Sequence, residues 1–185
     1  MKYLLFSGSL RTESLNKKLL SVASHIIASQ PENNVVMADI RSFAIPLYDG
    51  DIESNGIPDG VIKFGDMIKS ANAIVISSPE YNSSISGALK NTIDWVSRLR
   101  PVPFEAKTLF LLGASPGGFG AIRGLAATRT PLEALGCYVY PQTFALAKAH
   151  EAFAKDGTLL DTVTHKKLTD SLLKFDQFTK KLTLK

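Results

Sequence analysis

Short apolar segments alternate with segments of helical periodicity along the chain, and this alternation constrains the fold more than any other feature of the sequence. Five segments have the length and composition of strands, at residues 3–6, 35–38, 73–76, 108–113 and 137–140. Most of them are apolar without alternation, which is typical of strands covered on both faces. The pattern predicts a parallel sheet with helices on both faces and right-handed crossover connections.

Helical patterns separate the predicted strands. After the first strand, apolar residues recur at helical spacing from Leu15 to Ile27. Asp59 is predicted to cap a second helix that ends near Ser70. Further helices are predicted from about 84–87 to 96, from 121 to 135 and from 164 to 182. The last of these is expected to turn five apolar side chains toward the sheet, namely Leu168, Leu172, Phe175, Phe178 and Leu182.

Five strands favour one of the two common orders for such a sheet. The flavodoxin-like order 2-1-3-4-5 needs five strands, whereas the dinucleotide-binding order needs six. We therefore expect a flavodoxin-like α/β fold, a three-layer sandwich, in one domain that spans residues 1–185. In this order ligands bind outside the carboxyl ends of the strands, where the chain changes direction between strands one and three.

The connection at residues 40–58 is long for a compact domain. Its Pro46, Asp49-Gly50, Asn55-Gly56 and Pro58 exclude regular structure throughout. We consider three interpretations, which are a lid, an interface loop and a surface excursion.

The loop after the first strand, residues 7–16, has the composition of an anion-binding site. Backbone N–H groups at a helix N-terminus lack intrahelical partners and lie at the positive end of the helix dipole. Serine and asparagine side chains add donors, and Arg11 adds a planar cation that suits a phosphate. The simpler interpretation is a helix capped by Ser14 with a solvated arginine beside it.

Two more unusual loops follow strands three and four. Residues 77–84 are polar and turn-forming, and residues 115–120 are rich in glycine, which lets a backbone approach a flat ligand closely. Each loop alone is compatible with an ordinary turn. Because all three loops belong at the same edge of the predicted sheet, together they predict a ligand site.

The residues of these loops resemble the NADPH-dependent FMN reductase family, which has a flavodoxin-like fold and includes quinone, chromate and azo-dye reductases. The resemblance extends from about Tyr3 to Phe144 and is carried by the following segments: Gly8-Ser9-Leu10-Arg11 with Ser14 and Asn16, Ser78-Pro79-Glu80-Tyr81-Asn82 with Gly87, Leu89-Lys90-Asn91 and Asp94-Trp95, and Ser115-Pro116-Gly117-Gly118.

This resemblance implies FMN as the bound cofactor and NADPH or NADH as the hydride donor. It implies that Ser9, Arg11, Ser14 and Asn16 hold the phosphate, that Pro79, Glu80, Tyr81 and Asn82 line the flavin ring, and that Ser115, Gly117 and Gly118 close its other side. The acceptor would be a quinone or another small molecule, such as chromate, an azo dye or free flavin. A homodimer or homotetramer is implied as well. No acid–base side chain is required, so we assign no catalytic residue.

Two other functions also have features of the sequence in their favour. A flavodoxin-type electron carrier or an FMN-binding regulatory module would share the fold. A carrier that docks on basic partners is expected to have an acidic surface, however, and the sequence pI of about 9.1 argues against one.

The sequence Gly113-Ala114-Ser115-Pro116-Gly117 matches a hydrolase nucleophile elbow with Asp161 and His165 downstream. The oxyanion hole of that elbow needs an N–H that Pro116 lacks, so this match fails.

Composition sets the remaining expectations. The net charge of +4 is spread over single residues and pairs, so we expect no nucleic-acid partner. His25, His150 and His165 lie far apart, so we expect no metal. The apolar start ends at Ser7, too early for a signal peptide, and no apolar run is long enough for a bilayer. With the single Cys137 expected to be buried and unpaired, we expect a cytoplasmic protein.

Overall fold

The computed structural model describes residues 1–183 and has a parallel five-stranded sheet at its centre. Its strands are β1 (Lys2–Ser7), β2 (Asn34–Ala38), β3 (Ala73–Ser77), β6 (Thr108–Ala114) and β7 (Tyr138–Leu146), in the order β2-β1-β3-β6-β7. A separate antiparallel hairpin consists of β4 (Glu80–Tyr81) and β5 (Ser84–Ile85). In terms of the five main strands, this order confirms the predicted flavodoxin-like arrangement 2-1-3-4-5.

Helices cover both faces of the sheet. They are α1 (Leu15–Ala28), α2 (Gly50–Ser54), α3 (Asp59–Ser70), α4 (Gly87–Val96), α5 (Ile122–Ala134) and α6 (Thr162–Thr183). Helices α1 and α6 pack against one face, and α3, α4 and α5 pack against the other. Successive residues of β1 therefore contribute to opposite cores, with Tyr3 and Leu5 on the first face and Leu4 and Phe6 on the second.

Three sequence predictions about elements need correction. Asp59 does not cap α3 but is its first helical residue, and Pro58 occupies the N-cap position without a side-chain hydrogen bond. Leu182 is exposed rather than directed at the sheet, because the helical periodicity places Thr179 in the buried position of that turn. The last strand is longer than predicted and continues to Leu146 through an irregular pairing around Pro141. A proline is tolerated there because β7 is an edge strand.

Hydrogen bonds hold the connection at residues 40–58 against α4. The side chains of Asn91 and Trp95 both donate hydrogen bonds to the carbonyl oxygen of Pro46, at 2.8 and 2.9 Å. Asn91 Oδ1 also accepts the N–H of Tyr48, whose ring packs edge-on against Trp95. The segment is therefore a packed part of the domain surface, built from the 3₁₀ helix Ile40–Phe43 and from α2.

Among residues 1–183, no helix combines the length and the apolar character that crossing a bilayer requires.

Candidate functional site

A cleft of about 390 Å³, counted to its open mouth, lies at the carboxyl edge of the sheet. Its walls come from three loops, after β1, after β3 and after β6, as the strand order predicts. The lining residues are Ser9, Arg11, Ser14, Leu15, Asn16, Pro79, Glu80, Tyr81, Ala114, Ser115 and Pro116.

Two serine hydroxyl groups in the loop after β1 are oriented by the backbone. Ser14 is the N-cap of α1, and its Oγ accepts the N–H of Lys17 at 3.3 Å. Ser9 Oγ similarly accepts the N–H of Arg11 at 3.4 Å. Because each oxygen already accepts a hydrogen bond, each O–H remains available to donate into the cleft.

The first turn of α1 adds further donors. Within residues 1–183, the backbone N–H groups of Leu15 and Asn16 have no hydrogen-bond acceptor. Arg11 lines the same cleft and adds a cation to this donor set. Hydroxyl groups, helix N–H groups and a cation thus converge where a negatively charged acceptor would satisfy all of them.

Asn16 plays a structural role that its sequence position did not indicate. Its side-chain oxygen accepts hydrogen bonds from Ser77 Oγ and from the N–H of Ala114, both at 3.0 Å. Its amide nitrogen donates to the carbonyl oxygen of Ala114 at 2.9 Å. Asn16 is buried and joins α1 to the carboxyl ends of β3 and β6, so it fixes the three walls of the cleft relative to one another.

Glu80 anchors the hairpin of β4 and β5 to helix α5. Its carboxylate accepts the backbone N–H groups of Arg123 and Gly124 at 3.0 and 3.1 Å, and Arg123 Nε donates to it at 2.8 Å. Gly124 makes this approach possible, since a Cβ at that position would lie 2.9 Å from Glu80 Cα. The hairpin turns through Asn82 and Ser83, both at positive φ, as a two-residue hairpin loop requires.

The protonation state of Glu80 follows from these contacts. Burial of the carboxylate alone would raise its pKa, but the hydrogen bonds from Arg123 and from the N–H of Gly124 outweigh burial and hold the pKa below its usual value. The carboxylate is therefore ionised at neutral pH. It has no proton to donate to a molecule in the cleft.

The segment that follows β2 supports the loop after β1 through side-chain contacts. The sequence patterns did not indicate this role. Asp39 forms an ion pair with Lys17 in the first turn of α1, at 2.7 Å. The guanidinium of Arg41 donates to the carbonyl oxygen of Leu10. A usable signal was present, because a residue that directly follows a parallel strand belongs at the same edge as the ligand site.

Eight of the eleven predicted site residues line the cleft, and three do not. Asn82 lies at the exposed tip of the hairpin turn, while Gly117 and Gly118 lie in the exposed loop after β6. A Cβ at Gly118 would meet open space. These three positions are exposed and do not belong to the lining of the cleft.

Comparisons with known proteins agree on the family. A family model described as NADPH-dependent FMN reductase matches residues 1–151. An NAD(P)H-dependent FMN reductase of Pseudomonas aeruginosa is 38% identical over 162 residues, covering 87% of this chain and 85% of that protein. A quinone reductase of Escherichia coli is 32% identical over 182 residues, covering 96% and 94%. The solved structure of FerB, a flavoenzyme NAD(P)H:(acceptor) oxidoreductase from Paracoccus denitrificans, superposes with a TM-score of 0.85 at 30% identity and 97% coverage of both chains.

Proposed function

This chain belongs to the NADPH-dependent FMN reductase family, and on that premise we propose that residues 1–185 form one FMN-binding domain whose cofactor lies in the cleft at the carboxyl edge of the sheet. The phosphate lies at the first turn of α1, held by Ser9, Arg11, Ser14 and backbone N–H groups. The single observation that carries this assignment is that backbone-oriented serine hydroxyl groups, the backbone N–H groups of the first turn of α1 and Arg11 belong to one cleft. That donor set fits a phosphate.

The ring of the flavin is assigned to the other end of the cleft. Pro79 and Tyr81 line it from the hairpin side, and Ser115 lines it from the loop after β6. Asn82, Gly117 and Gly118 remain predicted ring contacts. Asn16 holds these loops in place. One hydrogen of its side-chain amide bonds to Ala114, and the second remains available to donate to the phosphate, as the family resemblance implies.

When bound, FMN accepts hydride from a reduced nicotinamide and passes the electrons to an acceptor. The contribution of the chain is to position the ring and to stabilise the negative charge of the reduced cofactor with fixed N–H groups. Glu80 contributes by holding the hairpin on α5 and does not act as an acid. We therefore assign no side chain to proton transfer.

The acceptor is proposed to be a small quinone, since a relative from Escherichia coli is a quinone reductase. Chromate, azo dyes and free flavin are further candidates of the same kind, because an open flavin reduces many small acceptors. NADPH is the proposed donor, with NADH as the alternative. We place the protein in the cytoplasm, where both dinucleotides are present.

Anaerobic reduction of the FMN-loaded protein tests this function. We expect the visible flavin bands to bleach on addition of NADPH and to return when a benzoquinone is added, with no second protein present. Bands that persist with NADPH or NADH would contradict the reductase assignment. They would leave the flavodoxin-type carrier or the regulatory module as the function, since a carrier needs a separate reductase.

Replacing Glu80 with glutamine tests its assignment as an anchor. A carboxylate with a lowered pKa stabilises the fold at any pH above the ordinary glutamate value of about 4.3, and that contribution is lost as the pH falls through its folded-state pKa. We therefore expect Glu80→Gln to lower the melting temperature at pH 7, because the charged partner of Arg123 is removed. The pH profile of NADPH oxidation between about pH 5.5 and 8.5 should keep its shape.

Glu133→Gln is the matched control, since Glu133 pairs with Arg129 on the exposed side of the same helix. A limb of the pH profile that disappears in Glu80→Gln but persists in Glu133→Gln would show that Glu80 takes part in proton transfer.

A homodimer or homotetramer is the proposed assembly. Leu47 lies on the connection at residues 40–58, and its side chain is 81% exposed. Such exposure is unusual for a leucine and suits an interface between copies of the chain. We expect wild-type protein to elute with at least twice the mass of one chain in light-scattering chromatography, and Leu47→Glu to shift it toward the monomer. Leu160→Glu serves as the control, because Leu160 is also exposed, at 61%, but lies before α6. A monomeric wild type would contradict the assembly.

A further inference from the structure

We propose that the groove between α1 and the end of β2 binds the adenosine half of the nicotinamide dinucleotide that reduces this enzyme. The inference rests on the proposed function, since it locates part of the hydride donor. The groove encloses about 520 Å³, counted to its open mouth, and is lined by Ser7, Lys17, Leu20, Met37, Ala38 and Asp39.

The groove and the FMN cleft are neighbours at the same edge of the sheet. Ser7 lines the groove, and Ser9, two residues later, lines the cleft. The turn at residues 7–9 therefore contributes to both cavities. The proposed dinucleotide crosses this turn, with its nicotinamide over the flavin and its adenosine half in the groove.

The floor of the groove is apolar. Met37 belongs to the edge strand β2 and is 49% exposed, which is high for a large apolar side chain at the end of a strand. Ala38 on β2 and the buried Leu20 on α1 also line the groove. A flat aromatic base covering Met37 would remove apolar area from water, and a thioether packs well against an aromatic ring.

The mouth of the groove carries the charges that a ribose or its phosphate requires. Lys17 and Asp39 form an ion pair at 2.7 Å, and Asp39 Oδ1 accepts the N–H of Arg41 at 3.1 Å. Lys17, Asp39 and Arg41 together leave one net positive charge. The guanidinium of Arg41 has five N–H donors, and the carbonyl oxygen of Leu10 takes one of them.

Asp39 and Arg41 follow the second strand of the sheet. In the related six-stranded dinucleotide-binding order, an acidic residue at that position binds the 2′-hydroxyl of the adenosine ribose, or a nearby arginine accommodates a 2′-phosphate, and we extend that rule to this five-stranded sheet by analogy. Asp39 follows β2 directly, and Arg41 is two residues further on. In this sheet the FMN cleft uses the loops after β1, β3 and β6, which leaves the side toward β2 for the donor.

The test compares two hydride donors on FMN-loaded wild type and Met37→Glu. NADPH carries the adenosine half, whereas reduced nicotinamide mononucleotide does not. We expect Met37→Glu to raise KM for NADPH about tenfold or more, because the new carboxylate repels the phosphates and displaces the base. The kcat/KM for reduced nicotinamide mononucleotide and the bound FMN content should stay unchanged. Val163→Glu is the control, as Val163 is similarly exposed, at 58%, on α6.

A calorimetric titration with 2′,5′-ADP gives a readout independent of turnover. We expect binding to FMN-loaded wild type and to Val163→Glu, and loss of binding in Met37→Glu. An unchanged KM for NADPH, an equal effect on both donors, or 2′,5′-ADP binding that Met37→Glu leaves intact would overturn the proposal. A wild type that oxidises neither NADPH nor reduced nicotinamide mononucleotide would contradict the reductase function instead. The 2′,5′-ADP titration would then test by itself whether the groove binds the adenosine half.

Discussion

Replacing Arg11 with alanine is expected to weaken FMN binding by about tenfold to a hundredfold without unfolding the protein. A charge-assisted hydrogen bond contributes about 1.5–3 kcal/mol, and each 1.4 kcal/mol corresponds to about tenfold in affinity. Arg11 is exposed and lines the cleft together with Ser9, Ser14 and the first turn of α1. Flavin fluorescence during titration of the apoprotein measures the dissociation constant.

Two controls separate a phosphate contact from general damage. Riboflavin lacks the phosphate, so its affinity for Arg11→Ala should equal its affinity for the wild type. Arg100→Ala removes an exposed arginine in the turn after α4, whose guanidinium donates to the carbonyl oxygens of Ser97 and Leu99, and should leave FMN binding intact. Equal FMN affinity in Arg11→Ala and in the wild type would contradict the assignment of the phosphate site.

Replacing Asn16 with alanine is expected to destabilise the apoprotein by about 3 kcal/mol. The substitution removes three hydrogen bonds and leaves the N–H and carbonyl groups of Ala114 and the hydroxyl of Ser77 without that partner in a buried site. Each buried polar group left unsatisfied costs about 1–3 kcal/mol, and relaxation around the small side chain recovers part of the sum. Denaturant unfolding without FMN measures this loss directly.

Asn55→Ala is the matched control, because Asn55 makes one exposed side-chain hydrogen bond to the carbonyl oxygen of Asp51. It should change the free energy of unfolding by less than about 0.5 kcal/mol. A similarly small effect of Asn16→Ala in the apoprotein would show that Asn16 serves the ligand and not the framework. Arg11→Ala should show the opposite pattern, with lost affinity and full stability.

The fold and the position of the cleft could be predicted because both depend on patterns that the chain repeats locally. Fully apolar strands indicate a parallel sheet, and the strand order follows from their number and from the family resemblance. The loops after β1, β3 and β6 then have to meet at one edge. Ser14 capping α1 was predictable for the same reason, since a serine before an apolar helical stripe is a local signal.

The roles of individual side chains could not be predicted in this way. Asn16 and Glu80 were both assigned to the cofactor, yet the bonds that Asn16 makes to Ala114 span 98 residues of sequence and those of Glu80 to α5 span 43 or 44. No local pattern reports which distant backbone group a polar side chain will find. The brace formed by Asp39 and Arg41 was missed because its partners are also distant in sequence, in the loop after β1 and in α1.

The most direct test of the central claim is a paired titration of the wild-type apoprotein with FMN and with riboflavin. The phosphate is proposed to lie at the first turn of α1, in the cleft lined by Ser9, Ser14 and Arg11. We therefore expect one FMN bound per chain and riboflavin bound at least about tenfold more weakly. Equal affinities for the two flavins, or no binding of FMN, would contradict this placement.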